Sequence, residues 1–558
     1  MMNPETLDRL KYLKSRPIDG QAFKKLVEAG LTWLKVNQET VNALNVFPVP
    51  DGDTGTNMVL TMQSAYQEIQ DSGQKEIGLI TQAISQGALM GARGNSGVIL
   101  SQIWRGFSRA LQGVNVLDAR NMVKALEEAR DTAYKGVVRP VEGTILTVIK
   151  DVAAAAREAI KETQDPFEIL ERIVPAAEIS VEHTPELLPV LKQAGVVDSG
   201  GKGLFFILEG MVRYVNNEPL DAALASVSPI SAMNLENTME AIEPGQDYEV
   251  VVDFKPNSPL DLQNFYSGLE EMGTSIQVGE GDGMYRMHIH VPTENRYKPI
   301  DYIINIGTVT KVAMENLVAL MEDIGSSQAN EKIDVTPIEP GQIAVVAVSP
   351  GKGISRVFAS LGAAALVEGG QTMNPSTQEL LNAFENLPTD QVIILPNNKN
   401  IILAAQAARE VTVKKLFIVP SKTIPQGLAA MMHLDLDGDV EQIAGKMNDA
   451  LDEIITGEVT VATRSVEIDG VVVEKGQVIS LLNGKLVCSA SSIEEAVMIM
   501  LEKANAEDYE LITLFYGQDL SIQEANRIAD LVREEYSDLE VELQDGGQPH
   551  YQFIISVE

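Results

Sequence analysis

The sequence predicts a multidomain protein with an all-α N-terminal domain, a small α+β middle module and a C-terminal α/β domain with a largely parallel sheet. Apolar residues recur at three- and four-residue spacing from about residue 18 to 222, which is the period of amphipathic helices. Short β-branched runs then mix with helical patterns up to residue 330. From residue 341 to 558 such runs alternate with helical stretches, which is typical of βαβ units.

Composition limits the classes of function. The 558 residues leave room for three or four domains of roughly 150 residues each. There are 79 Asp and Glu against 43 Lys and Arg, a net charge of −36, which argues against general nucleic-acid binding and against docking on anionic lipid. The sole cysteine, Cys488, excludes an intrachain disulfide and fits a reducing cytosol. Without a secretory signal or a transmembrane segment in the sequence, we expect a cytoplasmic protein.

The first two domains are defined by their predicted elements. We expect a helical domain over residues 1–222, with helices near 22–36, 78–89, 98–111, 119–134, 144–159 and 203–215, and a linker over 223–244. The middle domain, 245–330, should contain a strand at 248–254, a helix at 261–272, paired strands at 275–279 and 285–291, and a helix over 300–309. A second linker covers 326–340.

The C-terminal domain, 341–558, shows the clearest alternation. Strands are predicted at 343–348, 364–368, 391–395 and 415–419, with helices near 354–361, 377–386 and 400–411. A hairpin turning at Asp469-Gly470 follows, then helices at 493–504 and 522–536 and strands at 511–516, 539–543 and 551–557. The loop 371–377 follows a strand and precedes a helix, where α/β folds place ligand loops. Helix capping by Ser376 or Thr377 is the alternative explanation of that loop.

Residues 45–58, Asn-Val-Phe-Pro-Val-Pro-Asp-Gly-Asp-Thr-Gly-Thr-Asn-Met, form the most informative segment. It places Asp51 and Asp53 one glycine apart, and two carboxylates about 5 Å apart repel by roughly 3 kcal/mol at an effective dielectric near 20. A cation between them would relieve this repulsion, and hard oxygen ligands suit Mg²⁺ better than zinc. The alternative is a solvated turn in which Asp53 or Thr54 caps a helix.

Three further polar loops lie in the same helical domain. Residues 87–97 contain Gly91, Gly94 and Gly97, which allow close backbone approach, and Asn95 and Ser96 at a helix start, which favours anions. Helix–helix packing through small residues is the alternative. Loops 139–146 and 195–203 carry Thr144 and Ser199, which would ordinarily be N-caps. Four such loops predict a nucleotide–Mg²⁺ site at one end of a helical bundle, outside the P-loop and Rossmann designs.

These segments resemble a known family. The runs 45–58, 91–102, 140–146 and 196–201 are similar to the loops of kinases built on the dihydroxyacetone kinase L (DhaL) domain. More narrowly, the chain resembles the ATP-binding subunits of bacterial fatty acid kinases. That likeness continues through 370–377, 395–400, 421–427, 546–549 and 554–558, so it covers essentially the whole chain.

The resemblance implies that residues 1–222 form an eight-helix DhaL-like kinase barrel that binds ATP and two Mg²⁺ ions through carboxylates. Asp51 and Asp53 match these ligands, and Asn45 stands where the broader kinase group has a third Asp. The remaining implied contacts are supporting residues Thr54 and Asn57, phosphate-binding residues Gly94, Asn95, Ser96 and Gly97, and nucleotide-pocket residues Thr144 and Asp198. Phosphoryl transfer needs mainly positioning and charge neutralisation, and a fatty carboxylate needs no strong general base.

The resemblance also implies a partner. In the family a separate DegV-like fatty-acid-binding protein presents the acyl chain, the product is an acyl phosphate that serves phospholipid synthesis, and the enzyme is expected to be a homodimer; the C-terminal domain would then dock the partner. Two alternatives stay open: a kinase of the same fold acting on a small polyol such as dihydroxyacetone, and a non-catalytic scaffold gated by nucleotide.

The middle domain carries a second candidate site. His288 and His290 alternate along a predicted strand, so both imidazoles lie on one face, and such a pair can bind Zn²⁺. In relatives a Cys on the earlier strand is the usual partner; here residues 248–254 contain none. Glu249 is therefore the candidate third ligand, and the alternative is that the pair binds no metal.

Overall fold

The computed structural model describes residues 18–44, 52–220, 228–229, 247–258, 260–281, 284–316, 333–468 and 470–558. The chain divides into two compact units: Met1–Leu220 with Ile333–Glu558, and Asp221–Lys332. Most of the predicted linker 223–244 and the first part of the linker 326–340 lie outside the described residues.

The N-terminal part of the first unit is all-α, as predicted. Its helices, within the described residues, are α1 Gly20–Val36, α2 Gln38–Asn42, α3 Thr54–Gln67, α4 Ile77–Met90, α5 Gly94–Ala110, α6 Ala119–Lys135, α7 Ile145–Ala159, α8 Pro166–Leu187, α9 Pro189–Ala194 and α10 Ser199–Val215.

Eight of these helices pack in a closed ring, in the order α1, α3, α4, α5, α6, α7, α8, α10 and back to α1. Side chains such as Leu34, Met58 and Val148 are fully buried between them. This ring is the eight-helix barrel that the family resemblance implied. Because neighbours in an up-and-down ring run antiparallel, every second helix begins at the same end, and α3, α5, α7 and α10 form one such set.

Within its described residues, the second unit is a sheet with two α-helices. Its elements are β1 Ser228–Pro229, β2 Tyr248–Pro256, α11 Leu262–Glu270, β3 Thr274–Gly281, β4 Met284–Val291, α12 Lys298–Ile306 and β5 Gly307–Asn316. The strand order is β1-β3-β4-β2-β5, and β3 pairs antiparallel with β4 as predicted. The predicted helix over 300–309 is wrong at its end, because residue 307 begins a strand whose backbone pairs with β2.

The C-terminal part of the first unit begins with a parallel sheet. Its elements are β6 Ile343–Ser349, α13 Lys352–Ser360, β7 Ala365–Glu368, α14 Thr377–Phe384, β8 Gln391–Leu395, α15 Ile402–Val411, β9 Lys415–Ile418, α16 Ile424–Met431 and α17 Val440–Ala450. The strand order β7-β6-β8-β9 is parallel throughout, which confirms the predicted parallel sheet. Ala92 and Val98 of the helical part share a buried core with Val346 and Val348 of this sheet, so the two parts are joined by apolar packing.

Two further sheets close the chain. Their strands and the helices between them are β10 Ile455–Val461, β11 Val466–Ile468, β12 Val471–Val473, β13 Val478–Leu482, β14 Lys485–Ala490, α18 Ile493–Lys503, β15 Leu511–Tyr516, α19 Ile522–Glu535, β16 Glu540–Asp545 and β17 Tyr551–Val557. Six strands form one sheet in the order β14-β13-β10-β17-β15-β16, and β11 and β12 form the other. Strands β11 and β12 form the predicted hairpin, although Asp469 itself lies outside the described residues. Within the part of the chain that the structure describes, no helix has both the length and the apolar character needed to cross a bilayer.

Candidate active site

Asp53 holds the N-cap position of α3, yet its side chain makes no capping hydrogen bond. Asn42, at the end of α2, caps the helix instead: its Oδ1 accepts from the backbone N–H of Gly55 at 2.8 Å and of Thr56 at 3.2 Å. The alternative in which Asp53 or Thr54 caps this helix is therefore wrong. Only 8% of Asp53 is exposed. Its carboxylate is therefore buried but does not cap the helix, as an Asp at the N-cap position ordinarily does.

The first turn of α3 contacts two neighbouring helices. Ser199 Oγ at the start of α10 donates to Thr54 Oγ1 at 3.2 Å. Asn57 is buried and its amide lies against the start of α5. A side chain at Gly94 would collide there, because its β-carbon would lie 2.6 Å from Asn57 Nδ2, and Gly94 has a φ of +56° that favours glycine. Asn45 and Asp51, the other predicted metal ligands, lie outside the described residues.

The N-termini of α3, α5, α7 and α10 meet at one end of the ring. Besides the Thr54–Ser199 contact, a β-carbon at Gly200 would lie 3.4 Å from Ser96 Oγ of α5 and 3.4 Å from Ile145 Cβ of α7. Each helix N-terminus carries about half a positive charge. Four N-termini directed to one region give it a positive potential, which favours an anion such as phosphate. Thr54, Ser96, Ile145 and Ser199, one from each of the four predicted loops, lie there.

Asp198 and Thr144 cap two of these helices. Thr144 Oγ1 accepts from Leu146 N at 3.3 Å, whereas α10 is capped by Asp198, which accepts from Gly201 N at 2.6 Å; the expectation that Ser199 is this N-cap is wrong. Burial raises the pKa of Asp198 to about 6, although the backbone N–H groups of Gly201 and Ile145 donate to the carboxylate and lower it. A carboxyl group with this pKa changes charge close to neutral pH.

Other residues of the glycine-rich loop 87–97 make packing, hydrogen-bond and ion-pair contacts. A β-carbon at Gly97 would lie 2.4 Å from Thr61 Oγ1, so this glycine lets α5 pack closely on α3, as the packing alternative expected. Asn95 Nδ2 donates to Asn400 Oδ1 in the C-terminal part at 3.2 Å. Arg93 forms an ion pair with Glu379 at 3.0 Å. The side chains of Asn95 and Arg93 thus connect the glycine-rich loop to α14 and to the segment after β8 in the C-terminal part.

The loop between β7 and α14 reaches the same site. Asn374 is 2% exposed, and its Nδ2 donates to Asp53 Oδ2 at 2.5 Å. Arg93 Nη1 donates to the Asn374 carbonyl oxygen at 3.0 Å. Ser376 caps α14 in a capping box with Glu379, so the capping interpretation of that residue is confirmed. Asn374 was not predicted as a neighbour of Asp53, and its only signal in the sequence is the place of this loop after a parallel strand.

In the second unit, Glu249, His288 and His290 form one buried cluster, whose ligand atoms lie within 4.8 Å of one another. Glu249 pairs with His290 across β2 and β4, and His288 Nε2 lies 2.9 Å from Glu249 Oε1. Neither ring nitrogen of His290 has a hydrogen-bond partner among the described residues. Burial and the neighbouring His288 lower the pKa of His290 although Glu249 raises it, which favours the neutral imidazole that binds metals.

Comparisons with known proteins agree with the architecture. The fatty acid kinase FakA-like C-terminal model matches residues 344–558, the DAK2 domain model matches 48–213, and the FakA-like middle-domain model matches 243–324. Protein YloV of Bacillus subtilis strain 168 is 39% identical over 553 residues, which are 97% of this chain and 100% of the relative. The chain belongs to the fatty acid kinase FakA-like family. It is thus a kinase-type protein related to fatty acid kinase.

Other relatives of this FakA-like protein are similar over the same length. An uncharacterized protein of Staphylococcus aureus strain USA300 is 38% identical over 549 residues, 97% of this chain and 99% of the relative. Among solved structures, dihydroxyacetone kinase from C. freundii with AMP-PNP and Mg²⁺ has a TM-score of 0.28 at 21% identity and covers 36% of this chain and 35% of that one. DegV, a fatty acid binding protein from Bacillus subtilis, has a TM-score of 0.30 at 13% identity, with 39% and 98% covered.

Proposed function

We propose that this protein transfers the γ-phosphoryl group of ATP to the carboxylate of a fatty acid presented by a separate DegV-like fatty-acid-binding protein, giving an acyl phosphate and ADP. One observation carries the proposal: the buried Asp53 carboxylate, relieved of helix capping by Asn42, lies at the start of α3 where four helix N-termini meet. A carboxylate beside an anion-binding cradle is the arrangement that a metal–phosphate complex requires.

The residues at this end of the ring fit a nucleotide with Mg²⁺. Asp53, with Asn45 and Asp51 of the preceding segment of the sequence, would hold the metal, whose charge would neutralise the phosphates. The backbone of Gly94, Asn95 and Ser96 would donate to phosphate oxygens, and Thr54 and Asn57 would support α3. Thr144 and Asp198 would line the nucleotide pocket from α7 and α10.

The acceptor requires little proton chemistry. A fatty carboxylate is ionised near neutral pH, so its oxygen can form the new bond to the γ-phosphorus while the bond to the leaving ADP oxygen breaks. The work of the protein is then to position the two reactants and to stabilise charge. This division suits a chain whose site consists of helix N-termini and carboxylates, with the acyl chain held by the partner.

The test combines the full chain, Mg-ATP and a DegV-like protein loaded with fatty acid, and traps the acyl phosphate with hydroxylamine as a hydroxamate. Asp53→Asn should reduce the initial rate by at least about 100-fold, because it removes a metal-binding charge. Asp118→Asn is the matched control, since Asp118 is a conventional N-cap of α6 and Asn caps helices as well as Asp does. Wild-type turnover by Asp53→Asn would overturn the metal assignment.

The same experiment separates the alternatives. Phosphorylation of dihydroxyacetone, with none of the loaded partner's fatty acid, would favour the polyol kinase. ATP binding that calorimetry shows to be independent of Mg²⁺, with no turnover, would favour the nucleotide-gated scaffold.

We also propose that Glu249, His288 and His290 bind a transition metal such as Zn²⁺ in the middle domain. The support is their burial and mutual approach, together with a neutral imidazole at His290 whose ring nitrogens have no hydrogen-bond partner among the residues that the structure describes. Two nitrogens and a carboxylate oxygen are ligands that zinc accepts.

A further inference from the structure

The C-terminal part of the first unit places a polar side chain inside the helical site. Asn374 comes from the loop between β7 and α14, 321 residues from Asp53 in sequence, and it donates to the Asp53 carboxylate. The same amide nitrogen lies 3.6 Å from the position that a β-carbon on Gly94 would take. Asn374 therefore contacts the carboxylate on one side and borders the start of α5 on the other.

We propose that Asn374 is a positioning residue for Asp53, so that the C-terminal part completes the metal–phosphate site; this rests on the proposed function. A carboxylate that coordinates a metal is usually oriented by a second hydrogen bond, and loss of such a partner weakens metal binding. The donor from Asn374 acts in this way, because its hydrogen bond to Oδ2 fixes the orientation of the Asp53 carboxylate.

The second atom of the Asn374 amide supports the same role. Its Oδ1 is buried and has no hydrogen-bond partner in the part of the chain that the structure describes. Buried acceptors without a donor are rare in folded proteins and call for an explanation. A water molecule of a metal's hydration shell is a donor that would satisfy this oxygen when the metal is bound.

Contacts on both sides fix the loop that carries Asn374. Arg93 donates to the Asn374 carbonyl oxygen and pairs with Glu379, and Thr377 N donates to the Ala92 carbonyl oxygen at 3.2 Å. Ala92 also belongs to the apolar core that the helical part shares with the parallel sheet. The loop that carries Asn374 is thus held by backbone hydrogen bonds, an ion pair and apolar contacts that do not involve Asp53.

The experiment measures the affinity of the full chain for ADP by calorimetry over a series of Mg²⁺ concentrations. Asn374→Ala and the milder Asn374→Ser are compared with Asp53→Asn. Glu410→Gln is the matched control, because it breaks the ion pair between Arg105 and Glu410, another link between the helical and C-terminal parts, without touching Asp53. We expect Asn374→Ala to raise the half-saturating Mg²⁺ concentration by about 10- to 100-fold, Asn374→Ser to raise it less, and Glu410→Gln to leave it unchanged.

The other results each reject the proposal in a distinct way. Equal shifts in Asn374→Ala and Glu410→Gln would mean that domain docking, rather than this amide, sets the Mg²⁺ dependence. A shift in Asp53→Asn without one in Asn374→Ala or Asn374→Ser would overturn the role of Asn374 and leave the proposed kinase function standing. No shift in Asp53→Asn would overturn both.

Discussion

Replacing Asn42 by Ala tests the proposal that Asn42 keeps the Asp53 carboxylate from capping α3. Asn42 accepts from two backbone N–H groups at the start of α3, at 2.8 and 3.2 Å. Loss of an N-cap side chain costs about 1 kcal/mol, and the partial exposure of Asn42 lets water replace part of the loss. We therefore expect Asn42→Ala to lower the free energy of unfolding by about 1 kcal/mol, roughly a fivefold change in the unfolding equilibrium.

The functional effect should exceed the structural one. Once Asn42 is gone, the vacated N–H groups of α3 attract the nearest acceptor, and Asp53 already occupies the N-cap position. A carboxylate that caps its own helix is turned away from a metal, so we expect the Mg²⁺ concentration for half-maximal ADP binding to rise by about tenfold. In an Asp53→Asn background, Asn42→Ala should add little to the Mg²⁺ dependence, because residues that act through one contact are not additive.

The assay pairs urea unfolding with Mg²⁺ titrations of ADP binding. Ser521→Ala is the matched control, since Ser521 caps α19 by accepting from Glu524 N at 3.3 Å and should lose a similar stability without any change in Mg²⁺ dependence. If Asn42→Ala behaved like Ser521→Ala, with lower stability and wild-type Mg²⁺ dependence, the idea that Asn42 reserves Asp53 for a ligand would be refuted.

Two further predictions concern titratable groups. The pKa of Asp198 rises from an ordinary 3.8 to about 6 in the folded state. Because the folded protein then binds this proton more tightly than the unfolded chain, Asp198 contributes most to stability below about pH 4. At 1.36 kcal/mol per pKa unit, about 3 kcal/mol of stability is lost as the pH rises from about 4 to about 6. The stability difference between Asp198→Asn and the unmodified chain should therefore vary between about pH 4 and pH 7 in urea unfolding, and a constant difference would contradict the assignment. In the middle domain, His290→Ala should abolish Zn²⁺ binding measured by elemental analysis, whereas His433→Ala should not. Because burial lowers the pKa of His290, its imidazole stays neutral to a lower pH than an ordinary histidine, and zinc binding should persist at a pH where exposed histidines are already protonated. Equal zinc content in both variants would count against the cluster.

Local patterns in the sequence predicted most of the fold. The strands at 391–395, 511–516 and 551–557 have the predicted bounds, because short β-branched runs between turn residues specify them. Helix α8 runs for 22 residues although it contains Pro175 and Pro185, because burial of its apolar face in the ring outweighs the local penalty of proline. At residue 307 the pairing with β2 ended a helix that the apolar pattern alone would have continued.

Less of the site than of the fold could be predicted from the sequence, and the reason is physical. The composition of the four loops indicated which segments meet, but the partner of each side chain depends on contacts between distant segments. Asn42, which precedes Asp53 in the sequence, caps α3 in its place, and Asn374 contacts Asp53 from 321 residues away. Neither contact leaves a spacing in the chain, so neither was predicted.

The electrostatics of the site bear on how, under the proposed function, a strongly acidic chain would bind a polyphosphate. Arg93, the cation within the glycine-rich loop, is committed to Glu379 and to the Asn374 carbonyl oxygen, so its charge joins the two parts of the first unit. Positive potential at the site then comes from the N-termini of α3, α5, α7 and α10, whose fixed backbone dipoles need no reorganisation. Helix ends supply only partial charges, whereas a nucleotide triphosphate carries several full ones. Under the proposed function, cations held by Asp53 would supply the balance, so we expect nucleotide affinity at this end of the ring to depend steeply on the Mg²⁺ concentration.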